Sequence, residues 1–243
     1  MRIVAWNCNG GFHRKASALM ALRPDIAVVS ECAQLHLLAE RGLADIDRAR
    51  TVWVGTNPNK GLGVFAFNGW SVRLADPWHP TLHHIAPVHL DGAARLSLLA
   101  VWAQNASGGV SRKHQLGPLR RALSKYRDFL GSAPAVMAGD FNNNPFWDRP
   151  GWRINHMAMV EKARSLGLES GYHRLTGEAE GEETQPTHYW RDRKKDGPTY
   201  HIDYAFASTH LLDGARVAIG TFEEWCGNGL SDHVPVILDL STP

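Results

Sequence analysis

Carboxylate and amide side chains follow a short apolar run near the middle of this sequence. The segment Ala135–Asn144 begins as a buried strand bounded by Pro134 and Gly139, and it ends in a carboxylate and three amides. Asp140 and Asn142 are two residues apart, so in extended geometry they point to the same side. Open α/β folds place ligands just past such strand ends. The pair could hold a water, a metal ion or a phosphate, although an Asx-rich turn has the same composition.

The same pattern recurs along the chain. Polar side chains follow apolar runs in several places, and others stand in or just before the later strands. If these strands pack into common layers, their polar residues converge at one edge. The candidates are Asn7, Asn9, Glu31, Asn105, Asp140, Asn142, Asp203, Asp232 and His233. Asn143 and Asn144 are interpreted as turn residues.

The types of these residues indicate phosphoryl chemistry. Carboxylates and amides favour a hard cation such as Mg²⁺ over zinc. An aspartate that hydrogen-bonds one imidazole nitrogen fixes the tautomer and favours the imidazolium, and Asp203 and His233 are candidates for that pair. A metal ion and a cationic histidine would both stabilise charge on a phosphoryl group.

A basic and aromatic segment lies between positions 185 and 199. Bases interleaved with aromatic rings suit a phosphate backbone and stacked bases, although a solvated hairpin tip would have the same composition. The segment contains Thr187, His188, Tyr189, Trp190, Arg191, Arg193, Lys194 and Lys195.

The composition of the chain limits the class of protein and the partners that can be expected. The 243 residues are 44% hydrophobic and 21% charged, which is typical of a globular chain with a sizeable core. A net charge of +2 excludes a strong overall attraction to nucleic acid, so any basic surface must be local. Three widely spaced cysteines indicate neither a disulfide framework nor a zinc site. The chain opens directly into a strand-like run and has no apolar run of membrane-spanning length, so we expect a cytoplasmic location.

Hydrophobic periodicity predicts more strands than helices. Helices are predicted at Phe12–Leu22, Leu35–Arg41, Ser111–Leu130 and Ile154–Leu166, with the regular part of the third beginning near Pro118. An acidic loop is expected at Thr176–Glu183. Because no linker or repeat is visible, we expect one compact α/β or α+β domain over residues 1–243, with most strands in antiparallel hairpins. Strands are predicted at Arg2–Trp6, Ile26–Ser30, Thr51–Gly55, Gly61–Asn68, Ser71–Leu74, Arg95–Trp102, Ala135–Gly139, Tyr200–Ala207, Ala215–Phe222 and Val234–Leu240.

Six short motifs together resemble those of the endonuclease/exonuclease/phosphatase superfamily, with its DNase I-like fold. They occur in that family's order and span nearly the whole chain, although each alone is a weak signal. The resemblance implies a four-layered α/β sandwich of two packed, mainly antiparallel sheets with helices outside. The motifs are Trp6-Asn7-Cys8-Asn9-Gly10, Ser30-Glu31, Trp102-Ala103-Gln104-Asn105, Gly139-Asp140-Phe141-Asn142, His201-Ile202-Asp203-Tyr204 and Ser231-Asp232-His233.

The resemblance also implies a Mg²⁺ (or Mn²⁺) ion and a place for it. In such enzymes the position of Glu31 binds the metal, and Asn7 lies beside it. The position of Asn9 often supplies a further metal contact, and Asp232 supports the metal or a hydrogen bond next to it.

For the remaining motif residues, the resemblance implies roles in the hydrolysis reaction. The resemblance implies that Asp140 activates or orients the attacking water and that Asn142 holds that water or the phosphate. It implies that His233, oriented by Asp203, contacts the scissile phosphate, and that Asn105 binds the phosphate.

Three positions depart from the apurinic-endonuclease branch of that family. Trp102 stands where that branch often has tyrosine, Asn9 where it tends to have aspartate, and His201 where it usually has arginine. These differences weaken a transfer of abasic-site repair activity and leave phosphodiester hydrolysis intact.

The sequence thus predicts a divalent-metal-dependent phosphodiesterase, a nuclease that hydrolyses DNA, acting as a monomer. One alternative is a phosphoesterase for a small-molecule or lipid phosphate ester, and another is an inactive binding protein. The predicted substrate-binding residues are Trp102, His188, Tyr189, Trp190, Arg191, Arg193 and His201.

Overall fold

The structure is a computed structural model that describes residues 1–43, 46–76, 78–104, 116–190 and 194–241. The predicted site residues Asn105, Arg191 and Arg193 lie outside the described residues, as does the predicted beginning of the helix at Ser111.

Short strands make up most of the regular structure. In chain order they are β1 (Arg2–Asn7), β2 (Ile26–Cys32), β3 (Thr51–Asn57), β4 (Lys60–Ala66), β5 (Ser71–Leu74), β6 (Ile85–Asp91), β7 (Arg95–Trp102), β8 (Ala135–Asp140), β9 (Leu168–Ser170), β10 (His188–Tyr189), β11 (Thr199–Tyr200), β12 (Asp203–Ser208), β13 (Arg216–Ile219) and β14 (Val236–Asp239).

The helices are short and lie between the strands. They are α1 (Ala16–Ala21), α2 (Leu35–Glu40), α3 (Pro118–Lys125), α4 (Arg127–Gly131), α5 (His156–Arg164), α6 (Gly171–Thr176) and α7 (Phe222–Trp225). Single 3₁₀ turns occupy Phe12–Arg14, Arg48–Arg50, Pro145–Trp147 and Thr209–Leu211. No described helix has the length and apolar character needed to cross a membrane.

Two six-stranded sheets form the centre of the fold, in the orders β13-β14-β1-β2-β4-β3 and β5-β6-β7-β8-β12-β9. Each sheet is antiparallel except for one parallel pair, β1 with β2 and β7 with β8. The β10–β11 hairpin stands apart from both sheets. The predicted arrangement of two mainly antiparallel sheets is therefore confirmed.

The alternation of side chains along each central strand produces the layers. Ile3 of β1 packs in the core between the sheets together with Leu98 of β7, whereas the next residue, Val4, faces a separate core with Leu19 of α1. On the other side, Met137 of β8 packs against the helices α3 and α5. Because both faces of these strands are covered, their sequences are almost continuously apolar. The predicted four-layered sandwich follows from this packing.

Several predicted boundaries are wrong. The regular part of the helix predicted over Ser111–Leu130 begins at Pro118, as predicted, but the helix is interrupted at Tyr126, whose backbone (φ −101°, ψ 19°) leaves the helical region. The predicted helix at Phe12–Leu22 is a 3₁₀ turn followed by α1. The helix α6 was not predicted; it spans only six residues, too few for a clear periodic pattern.

Gly139 is required where β7 and β8 run side by side. Its φ is +141°, and a Cβ atom there would lie 1.8 Å from the carbonyl oxygen of Val101. Because that neighbour is backbone in a central sheet, it cannot move without breaking the pairing that leads into Asp140.

We predict that Gly139→Ala lowers the free energy of unfolding by at least about 2 kcal/mol, through overlap and backbone strain. Urea denaturation followed by circular dichroism measures the change. Gly131→Ala is the matched control, since a Cβ there meets open space at the end of α4, and it should be neutral or mildly stabilising. Equal stability of the two variants would contradict the assignment.

Candidate active site

The polar residues meet where the ends of four central strands come together. Asn7 ends β1 and Glu31 lies near the end of β2, two strands that pair in parallel. Asp140 ends β8 and stands opposite Asp203, the first residue of the antiparallel β12. The residue pattern of the sequence therefore becomes one cluster in space, as predicted.

Asp140 is the most enclosed carboxylate of the cluster, with 1% of its surface exposed. One of its oxygens accepts a hydrogen bond from the backbone N–H of Asn142 (2.8 Å), and the other accepts from the side-chain amides of Asn142 and Asn7 (both 2.9 Å). Burial and the nearby charge of Asp203 raise the pKa of Asp140 to about 7, against the hydrogen bonds and His233, which lower it. A carboxylate with such a pKa is suited to accept a proton near neutral pH.

The orientation of Asn7 is fixed by a local turn. The backbone N–H of Asn9 donates to Asn7 Oδ1 (2.9 Å), so the Asn7 NH₂ group faces the carboxylates of Asp140 and Glu31. In this arrangement Asn7 is a hydrogen-bond donor to the acidic cluster. Asn7 was predicted to lie beside Glu31, and its side-chain nitrogen is 3.4 Å from Glu31 Oε1.

Glu31 reaches the site through an irregularity in β2. The pairing with β4 shifts between Ser30 and Cys32, and Glu31 between them has φ +61°, a left-handed conformation that is uncommon for glutamate. This β-bulge turns the side chain to the sheet end, where its carboxylate lies 3.0 Å from Lys60 Nζ. The Lys60 ammonium also lies 5.6 Å from the ring centroid of Trp102. Lys60 was not predicted, because a lysine beside a hairpin turn carries no distinguishing sequence signal.

Asp203 and His233 form the predicted pair. His233 Nδ1 and Asp203 Oδ2 are 2.7 Å apart, and both side chains are buried. Burial alone would lower the pKa of His233, but the carboxylates of Asp203, Asp140 and Asp232 outweigh it and raise this pKa to about 10. The imidazolium is therefore the stable form, and because Nδ1 is committed to Asp203, Nε2 is left to face a substrate.

Two hydroxyl side chains that were not predicted hold this pair in place. Thr187 Oγ1 accepts the backbone N–H groups of Ile202 and Asp203, at 2.9 and 3.0 Å. Ser231 Oγ donates to the carbonyl of Asn7 (2.7 Å) and accepts from the backbone N–H of His233 (3.1 Å). Both are fully buried, so each hydroxyl joins a site residue to a separate segment.

Substrate contacts were predicted around the segment that contains Thr187. The His188 ring lies 4.4 Å from that of His233, and Trp190, which follows β10, has 44% of its surface exposed. Tyr189 and His201 are instead buried: Tyr189 packs on Phe222, and the His201 ring bonds the carbonyl of Gln185. These two side chains support the site from the interior in this conformation.

The donor set fits a hard divalent cation. The Glu31 carboxylate is partly exposed at 17%, that of Asp232 at 31%, and both provide oxygen ligands of the kind that Mg²⁺ prefers. Asp140, Asp203 and His233 offer ligand atoms within 4.8 Å of one another. Asp203 Oδ1 is buried with no hydrogen-bond donor among the described residues, which leaves one acceptor open. Residues that would hold a metal here are Glu31, which shares the Asn7 amide with Asp140, and Asp232, the residue before His233.

The two sheets and the outer helices define the fold class. The chain has a DNase I-like fold, as its motifs predicted. No family model matches the sequence, and a search of curated proteins gave no match.

Particular solved structures share the fold over the whole chain. A 3'-5' exonuclease (NExo) from Neisseria meningitidis is 19% identical with a TM-score of 0.68, and 100% of each chain is covered. A 3' phosphatase NExo from Neisseria, bound to a product DNA hairpin, is 18% identical with a TM-score of 0.69 and the same coverage. An AP endonuclease from Archaeoglobus fulgidus is 16% identical with a TM-score of 0.69, again over 100% of each chain. At these identities the likeness concerns the fold.

We predict that Asp203→Asn lowers the pKa of His233 by several units, because the largest favourable charge is lost while burial still opposes the imidazolium. NMR titration of the imidazole in EDTA-treated protein measures it. Asp232→Asn is the control and should give a smaller decrease, since the side chain of Asp232 is partly exposed. A His233 pKa that stays near its starting value in Asp203→Asn would show that another group holds the proton.

Proposed function

We propose that this protein is a divalent-metal-dependent phosphodiesterase that hydrolyses DNA. The observation that carries the proposal is the placement of Asp140 beside the Asp203–His233 pair, where the central strands β8 and β12 meet at the end of the sheet. A carboxylate with a pKa of about 7 and a histidine with a pKa of about 10 are respectively basic and cationic near neutral pH. A base can activate the attacking water, and a cation can stabilise the negative charge on the phosphate.

The roles of the residues follow from these charges. Asp140 accepts a proton from the attacking water, and the amide of Asn142, fixed on Asp140, orients that water or a phosphate oxygen. His233 donates from Nε2 to a non-bridging phosphate oxygen, while Asp203 keeps its ring in place. A divalent ion held at Glu31 and Asp232 would supply further neutralisation of phosphate charge.

Three features support DNA as the substrate. Solved structures with this fold include enzymes named as an exonuclease and as AP endonucleases, and one is bound to a DNA hairpin. The exposed Trp190 offers a surface for stacking bases next to His188. The hairpin that carries these residues is joined to the site by the hydrogen bond from Tyr189 N–H to the carbonyl of Asp232 (2.8 Å).

The direct test is a panel of end-labelled DNA substrates. Duplex, single-stranded, abasic and 3'-phosphate DNA are each incubated with Mg²⁺ or Mn²⁺ and with EDTA. We expect metal-dependent cleavage, and a ladder or a single cut distinguishes exonuclease from endonuclease action. Release of phosphate from nucleotides, inositol phosphates or phospholipids with DNA left intact would favour the small-molecule alternative. No turnover of any phosphate ester would contradict the proposal.

We predict that Asp140→Asn lowers kcat by about 10³-fold or more while DNA binding changes little, because the amide cannot accept the proton. Single-turnover cleavage and fluorescence anisotropy measure the two effects. Asp213→Asn, an exposed carboxylate outside the cluster, is the matched control and should keep full activity. A near-normal rate in purified, folded Asp140→Asn would refute the role of this carboxylate.

A further inference from the structure

A second polar cluster is buried on the side of the second sheet, in residues that no proposed catalytic step uses. His173 of α6 and Glu180 and Glu183 of the following loop offer ligand atoms within 4.8 Å of one another. Their side chains are 8%, 7% and 3% exposed. His156 of α5 adjoins them with 0% exposure. The sequence predicted only an acidic loop here.

Hydrogen bonding leaves this cluster incomplete. Neither carboxylate oxygen of Glu180, and neither ring nitrogen of His156, has a hydrogen-bond partner among the described residues. A buried carboxylate without donors costs several kcal/mol, roughly, and an imidazole without partners adds to that. A cation that binds both nitrogen and oxygen would complete these four atoms.

The spacing of the donors fits one shared ion. His156 Nε2 lies 3.4 Å from Glu180 Oε2, and His173 Nε2 lies 3.1 Å from Glu183 Oε1. Both separations exceed the length of a charge-assisted hydrogen bond, about 2.7–2.9 Å. Two ligands about 2.0–2.1 Å from one ion are roughly 2.8–3.4 Å apart at angles between 90° and the tetrahedral value. The observed separations fall close to that range.

Neighbouring side chains orient the donors as they do around bound metals. Ser170 Oγ lies 2.7 Å from His173 Nδ1, which leaves Nε2 directed toward Glu183. The side-chain amide of Asn144 donates to Glu183 Oε2 (3.1 Å), and the backbone N–H of Gly181 donates to Glu183 Oε1 (3.1 Å), which keeps a second lone pair for a ligand. A second partner on each donor fixes the tautomer and the ring or carboxylate orientation.

We propose that His173, Glu180 and Glu183, with His156 beside Glu180, form a structural site for a divalent transition metal, with Zn²⁺ as the best fit. Imidazole nitrogen selects Zn²⁺ and related ions over Mg²⁺, and His173, Glu180 and Glu183 offer ligand atoms within 4.8 Å of one another. The burial of the four side chains leaves no open position for a substrate, so the ion has no part in hydrolysis.

The position of the site explains what the ion stabilises. It joins α5, α6 and the loop at residues 177–185, three segments with few regular hydrogen bonds between them. The loop runs on directly to Thr187, which holds the backbone of Asp203. Asn144, which bonds Glu183, also donates to the carbonyl of His201 (3.0 Å). Loss of the ion should therefore loosen the support behind Asp203.

The test measures metal content and stability, without activity. Chelator-stripped protein is titrated with Zn²⁺ in excess Mg²⁺ by calorimetry, and bound metal is measured by mass spectrometry. We expect about one Zn²⁺ per chain, and a rise in Tm on binding, since a ligand that binds only the native state stabilises it. Hydrogen exchange of the amides at residues 177–187 should slow on addition of Zn²⁺.

Variants separate this site from the active site. Glu180→Gln should lose Zn²⁺ binding and the Tm increase, whereas Glu182→Gln, an exposed neighbour on the same loop, should keep both. Glu31→Gln should also keep both, because it alters only the proposed active-site cation. Wild-type protein that binds no Zn²⁺ would overturn the proposal even if Glu180→Gln fails to fold. Equal Zn²⁺ binding by folded Glu180→Gln and wild type would overturn it as well.

Discussion

The burial of Asp140 is the constraint on which the rest of the site depends. Burying a carboxylate away from water costs free energy unless hydrogen-bond donors surround it. Here the donors are the backbone and side-chain amides of Asn142 and the side-chain amide of Asn7. Amides bond the charge without neutralising it. The pKa of Asp140 therefore stays high, at about 7, and a buried acid becomes a usable base. An arginine or lysine in place of Asn7 would stabilise the carboxylate better and would make it a poorer proton acceptor.

Backbone strain is concentrated at the same place. Among the described residues, five other than glycine have positive φ, and three of them, Asn9, Glu31 and Asn142, are predicted site residues. Asparagine tolerates this conformation, but glutamate does so at a cost of about 1–2 kcal/mol. The β-bulge at Glu31 is maintained because regular pairing continues on both sides of it. The sheets thus hold three side chains at angles that a regular strand would not give them.

The sequence was informative wherever one residue type at a strand end sufficed. Apolar runs located the central strands, and the polar residues after them identified Asp140, Glu31 and Asn7 before any geometry was known. The sequence was uninformative for residues whose role depends on a tertiary contact. Thr187 is one hydroxyl in a basic, aromatic segment, and its two backbone bonds arise only once β12 is in place. Asn144, expected to be a turn residue, does cap a 3₁₀ turn, but its amide also reaches Glu183.

These contacts make the support of the site asymmetric. Asn7 is paired with Ser30 in the first sheet, and Glu31 lies at the bulge between the paired residues Ser30 and Cys32. Asp203 begins its strand, and the segment before it is held by the bond from Phe141 N–H to the carbonyl of Ile202 (2.9 Å) and by Thr187 at the end of the preceding loop. That loop has little regular structure of its own, and side-chain contacts must hold it. A polar cluster at Glu180 and Glu183 is therefore placed where the backbone gives least support. The asymmetry explains why a buried, charged cluster persists in a position that an apolar contact could otherwise fill.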